Sequence, residues 1–190
     1  MTAENGAPGK GAKSRQNKKF TSSGSLKGRS AARLAAVQAL YQTILSGVSS
    51  DQVILEFTSH RLDQIGEGTE GGAVVKLTNK ERGLFKLIVS GVSRRQEEID
   101  EMIAPNLRDD WSSERVPPLL LSALRAGAFE LLECADVPVK VVINEYVNLA
   151  HAFYEGREPA FVNAVLDRIA KVLREGELGS SGSDRQAENG

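Results

Sequence analysis

The chain has 190 residues and a formal net charge of −1, with 41% apolar and 26% charged residues. That is the mix of an ordinary globular domain, and no stretch approaches the roughly 18 consecutive apolar residues of a membrane span. A single cysteine, Cys134, excludes an internal disulfide framework and a multi-cysteine metal cluster, so a reducing, cytoplasmic setting away from any membrane is expected.

The charge is unevenly placed. Residues 1–33 carry eight basic groups against Glu4 alone, a net +7, which leaves −8 on the other 157 residues. A basic arm on an acidic body suits a polyanion-binding tail or, equally, a solubilising leader. Residues 1–28 are Gly, Ser, Lys, Asn and Ala, with Phe20 and Leu26 as large apolar side chains. So little apolar surface does not offset ordering entropy, and the segment is expected to be a disordered basic arm. Residues 176–190 read as a disordered tail for the same reason. The foldable part is 29–175.

That part is helical by period. Leu34, Val37, Leu40, Tyr41, Ile44 and Leu45 recur at spacings of three and four, with Ser30 as N-cap and Gly47 as stop. Asp51 is placed to cap a second helix with Val53, Ile54, Phe57 and Leu62 inward. Residues 66–72 form a Gly-rich loop. Thr78 and Glu81 have capping-box spacing and open a helix carrying Leu84, Phe85, Leu87, Ile88 and Val92. Ile99, Met102 and Ile103 continue the period up to Pro105. Ser112 or Ser113 caps the next helix, with Pro117 and Pro118 near its first turns. Its apolar body runs from Leu119 to Leu132.

Residues 137–147 are rich in β-branched side chains and admit a strand. However, Val139, Val142, Ile143, Tyr146, Val147 and Phe153 fit one helical face, and Asp136 with Pro138 suits a helix start. This stretch is read as helix. Glu158 opens the last helix, with Phe161, Val162, Val165, Leu166, Ile169, Val172 and Leu173 as its stripe. The expected fold class is all-α, with about seven short-linked helices in two small bundles sharing an interface.

Chemistry-bearing motifs are sparse. Gly66, Gly68 and Gly71 spell G-x-G-x-x-G, but the preceding element reads as helix, and Glu67 and Glu70 would repel a pyrophosphate. His60 and His151 are the two histidines, far apart in sequence, and no H-E-x-x-H, G-x-S-x-G or P-loop occurs. Cys134 suits a small core residue better than a nucleophile. Glu130 and Glu133 suit a solvated or salt-bridged helix edge. No catalytic residue, metal ligand or cofactor is assigned, and an enzyme is not expected.

What remains is a binding constellation. Lys27, Arg29 and Arg33 lie where the arm enters the first helix. Arg29 and Arg33, four apart, share a face. They are suited to gather phosphates at a helix N-terminus, or else to pair with carboxylates of the body. Phe153 and Phe161 flank a short connection that also holds Tyr154 and Arg157. Aromatics beside a basic residue suit base stacking; the bland alternative is an inter-helix core.

Four segments resemble the NusB family. R-S-A-A-R-L-A-A-V-Q-A-L-Y (Arg29 to Tyr41) is similar to its opening helix, and L-R-A-G-A-F-E-L (Leu124 to Leu131) to a later segment. D-V-P-V-K-V-V-I-N-E-Y-V-N-L-A (Asp136 to Ala150) and F-V-N-A-V-L-D-R (Phe161 to Arg168) resemble its closing helices. The resemblance implies two three-helix bundles and a bacterial transcription antitermination factor. Such a factor pairs with the ribosomal protein NusE, binds boxA-type single-stranded RNA and joins the RNA polymerase antitermination complex, notably in ribosomal RNA operons. By motif position it implies RNA contacts for Arg29, Arg33, Tyr41, Phe153 and Phe161. The family usually carries an acidic–basic pair shortly before L-R-x-A, near its NusE contact. Here Leu120 and Leu121 stand there, which makes them the expected partner-binding residues. Consecutive residues point about 100° apart on a helix, so Leu120 is expected to share the face of Leu124 and Leu131, and Leu121 to lie at its edge, partly exposed.

Overall fold

A computed structural model describes residues 28–63, 76–107 and 116–179. The arm with Lys27, the glycines at 66, 68 and 71, the candidate caps Ser112 and Ser113, and the tail beyond Gly179 lie outside the described residues.

Every regular element among the described residues is a helix, with no strand among them. The order is α1 (Gly28–Ser46), α2 (Ser50–Glu56), α3 (Asn79–Arg94), α4 (Gln96–Ile103), α5 (Pro118–Glu133), α6 (Val139–Phe153), α7 (Glu158–Leu173) and α8 (Glu175–Gly179). A π-helical turn, Phe57–Arg61, extends α2, and a 3-10 turn, Ala104–Asn106, ends α4. Helices α1, α2 and α3 pack mutually, as do α5, α6 and α7. These are the two three-helix bundles. They share an interface in which α1 and α3 lie against α5, and α4 bridges to α5 and α7. No described helix is long and apolar enough to cross a membrane.

Helix α1 lies at the junction. Ala31, Ala32, Ala35, Ala36 and Ala39 are fully buried. Small side chains on several faces let neighbouring helices approach from more than one side, and alanine costs the helix nothing. Gly47, at φ 67°, ends α1 in the left-handed region that glycine tolerates, and its N–H donates to Thr43 O at 3.0 Å. The N-terminal end departs from expectation. The helix already includes Gly28, the first described residue, so Ser30 lies within it and is not its N-cap.

Side-chain caps fix the starts of α2 and α3. Ser49, not Asp51, is the N-cap of α2, accepting from Gln52 N–H; Asp51 lies in the first turn, where its charge complements the helix dipole. The Thr78–Glu81 capping box forms as expected: Thr78 N–H donates to Glu81 Oε2 at 2.7 Å, and Glu81 N–H to Thr78 Oγ1 at 3.4 Å. Phe57 stacks on Phe85 with ring centroids 5.6 Å apart. Pro118 opens α5 at a position that needs no N–H donor. Arg125 of α5 grips Asp100 of α4 with two bonds of 2.8 Å.

The β-branched stretch is helix. Val139, Val142, Ile143, Tyr146, Leu149 and Ala150 form its buried stripe, and burial at a helical period overrides local β propensity. The N-cap is Pro138, and Asp136 stays in the preceding turn. Several members of the expected stripes lie outside the core: Ile44, Leu45 and Leu87 are exposed, Phe153 is 42% exposed and Val172 84%. The segment past residue 175 is not wholly irregular, since α8 runs to Gly179. Arg174, the C-cap of α7, ties the end of that helix to the end of α5 and the turn that follows it. Its guanidinium donates to Leu131 O at 2.7 Å, Val137 O at 2.8 Å and Glu130 O at 3.1 Å. It thereby serves Leu131 O at the open end of α5 and Val137 O in the following turn, and adds a second donor to Glu130 O, which also accepts from Cys134 N–H.

Candidate nucleic-acid interface

The most concentrated polar chemistry of the described residues is internal. Arg33 of α1 and Glu130 of α5 are 2% and 0% exposed. Arg33 Nε donates to Glu130 Oε1 at 2.8 Å and Nη2 to Oε2 at 2.7 Å, a two-pronged pairing. Tyr146 of α6, fully buried, donates its hydroxyl to Glu130 Oε1 at 2.8 Å. The remaining nitrogen, Arg33 Nη1, faces Glu145 Oε2 at 3.5 Å. Burial works against the charged guanidinium, but the Glu130 hydrogen bond and charge outweigh it and hold Arg33 above its ordinary pKa. Burial and the Glu130 carboxylate push the Tyr146 phenol well up. The group is a charged core cluster in which Nε and Nη2 of Arg33 are hydrogen-bonded and Nη1 is ion-paired.

This corrects two expectations. Arg33 is not presented to an external phosphate: its partners are carboxylates of the body, because it turns inward between α1, α5 and α6. Glu130 is not on a solvated edge. Glu133, one turn on, is the exposed member and pairs with Arg95. Cys134 is buried, and burial raises its thiol pKa, with Glu130 and Asp136 adding to the effect. That is the environment of an inert core thiol.

The surface next to the cluster carries the remaining candidates. Arg29 is exposed one turn before Arg33, and its charge reaches Glu81. Tyr41 is half-buried further along α1. A shallow apolar pocket between α1, α5 and α6 is lined by Val37, Leu119, Ala123, Leu149, Phe153 and Tyr154, among others. Phe153 projects at its rim, 42% exposed. Burial raises the Tyr154 phenol, followed by the charge of Glu158 and the proximity of Tyr41, which sets Tyr154, Tyr41 and Glu158 together. Arg157 is exposed at the N-cap of α7. Phe161 departs from expectation. At 9% exposed it belongs to the core stripe of α7 and has little ring surface to offer a base.

On α5, Leu120 is 1% exposed and faces the core with Leu124 and Leu131. It is therefore not a surface contact. Leu121 is partly buried at the edge of that core, as its angular position requires.

Glu130 and Tyr146 were the polar pair that motif reading missed. A signal existed, since Glu130 stands inside the apolar run Ala126 to Leu132. A carboxylate on a buried face needs an internal cation.

This is an all-helical architecture of two three-helix bundles, with a basic, Ala-rich first helix beside an aromatic-rimmed pocket. A sequence profile of the NusB family matches residues 30–171. The chain is 49% identical over 146 residues to the transcription antitermination protein NusB of Allorhizobium ampelinum, covering 77% of this chain and 88% of that protein. It is 49% identical to the NusB protein of Sinorhizobium fredii, with the same coverage. Among solved structures, T. maritima NusB aligns with a TM-score of 0.61 at 27% identity, covering 75% of this chain and 90% of that one. A crystal structure of antitermination factors NusB and NusE in complex with dsRNA aligns with a TM-score of 0.62 at 25% identity, covering 76% and 97%. The chain belongs to the NusB family.

Proposed function

We propose that this chain is an RNA-binding transcription antitermination factor. In this reading it pairs with the ribosomal protein NusE, binds boxA-type single-stranded RNA and joins the RNA polymerase complex to promote read-through, notably in ribosomal RNA operons. The observation that carries it is the pairing of exposed Phe153 with Tyr154 at one apolar pocket, with Tyr41 near Tyr154 and Arg157 close in sequence. Rings provide stacking surfaces for unpaired bases, and guanidinium groups hold the backbone. Arg29 and Lys27 extend the basic character toward the arm. The matched NusB–NusE–RNA structure supports the partner assignment. The partly buried Leu121 is the candidate NusE contact, replacing a polar group by apolar surface.

The test is a gel shift of boxA-type RNA against the full chain, NusE and the two together. Tight binding by the pair, weakened by Phe153→Ala and by Arg29→Ala, is the expected result. Salt should reduce affinity with a slope of about 0.7 per phosphate contacted, and deleting residues 1–27 should flatten it. A second reading draws on the burial of Arg33 and Phe161: a helical adaptor that binds protein alone. NusE binding without any RNA binding by the pair would establish that reading instead.

A further inference from the structure

Arg33 has a place in the RNA-contacting motif by sequence, yet its guanidinium is committed inside the protein. Glu130 takes Nε and Nη2, and Glu145 lies against Nη1. Burying two charges is costly, and a buried pair is weak evidence for stability. Its best-attested use is to specify one geometry among several that apolar packing would accept. Helix α1 has that need. Leu34, Val37 and Leu40 key part of its buried surface, but the five buried alanines leave the rest nearly smooth, and small, uniform side chains specify rotation and axial position poorly. The cluster supplies what the alanines lack. Two parallel bonds to a planar carboxylate set direction as well as distance, and Tyr146 fixes the carboxylate from α6.

From this geometry we infer that Arg33 is a positioning residue: the buried Arg33–Glu130–Tyr146 cluster sets the rotation and register of α1, and so the direction in which Arg29 and Tyr41 are presented to RNA. Arg29 is one turn away on the same face, so a small rotation of α1 swings its long side chain across the surface. The inference rests on the RNA-binding reading given above.

The experiment compares the full-length wild-type chain with the double variant Arg33→Met/Glu130→Leu, each in complex with NusE, on boxA-type RNA across a salt series. Apolar replacement of both charges is often neutral or stabilising, but it takes the acceptor from the buried Tyr146 hydroxyl, so thermal melting should fall modestly while the variant stays folded. RNA affinity should fall about tenfold, with the salt slope shallower by about 0.7, the share of one phosphate. NusE affinity should not change. If the double variant fails to fold, Tyr146→Phe, which removes one hydroxyl, gives the same comparison with a severalfold loss expected. A folded variant that binds RNA with wild-type affinity and slope overturns the inference and leaves the RNA reading standing. A wild-type complex that binds no RNA overturns both.

Discussion

The ring of Phe129 on α5 rests directly on the backbone of Gly91 on α3. A Cβ at residue 91 would lie 2.1 Å from Phe129 Cζ and 2.2 Å from Cε2. Both residues are buried where the two bundles meet. The missing side chain is what lets α3 and α5 close to that distance. Gly91→Ala should therefore destabilise the protein by about 1–3 kcal/mol, typical of overpacking, despite the roughly 1 kcal/mol that alanine gains over glycine in a helix. Urea denaturation measures it, and a stabilised variant would refute the close-approach argument.

The α3 capping box makes a pH prediction. The Thr78 backbone N–H and hydroxyl, then the charge of Arg29, hold the Glu81 carboxyl below its ordinary pKa. The folded value lies under the unfolded one, so this contribution is fully present above the unfolded pKa. It is lost as pH falls through the folded value. Glu81→Gln keeps an acceptor for the Thr78 N–H without a titrating charge. The stability difference between wild type and this variant should shrink on acidification through the carboxylate range, read by denaturation at a series of pH values.

Arg174 should matter out of proportion to its position near the end of the described chain. Its side chain is 7% exposed and serves three backbone carbonyls. Arg174→Ala removes the side-chain donor of Leu131 O and Val137 O, while Glu130 O keeps Cys134 N–H, at a cost of about 1–3 kcal/mol. Thermal melting should show the loss, and Lys should recover only part of it, because a single ammonium does not span the same acceptors in a planar fork.

Adjacent leucines should behave oppositely. Leu120→Lys puts a charge into the core and should abolish stable folding. Leu121→Lys, at the core edge, should leave a folded chain that binds NusE more weakly. The expected loss is up to about 1.5–3 kcal/mol if the leucine is fully covered by the partner. Calorimetric titration with NusE decides it. An unfolded Leu121 variant would return that residue to the core.

Local signals were legible and long-range ones were not. The Thr78–Glu81 box, the Gly47 stop and the α7 start at Glu158 all depend on residues within a turn of each other. Sequence spacing captures such geometry. The α6 stripe was legible because burial imposes its own period over the valines. Arg33 was misread for the converse reason. Its partner Glu130 lies 97 positions away, and a basic pair four apart looks the same whether it faces solvent or core. Phe161 shows the same ambiguity: an aromatic flanking a loop is exposed or buried according to which helix covers it. Within the candidate interface, the residues whose exposure agrees with expectation are those at helix ends, Arg29, Phe153 and Arg157, where fewer neighbours exist to cover them.

The attachment of Arg33 has a kinetic consequence. Helix α1 belongs to the first bundle by packing and is bolted through Arg33 to two helices of the second. Neither half keeps an intact interior if α1 detaches. Regions whose opening requires disruption of the whole core exchange their amide hydrogens only through global unfolding. The amides of residues 35–40 should therefore be among the slowest to exchange, and the protection of both bundles should collapse in one step. A molecule built in two halves then melts as a single cooperative unit.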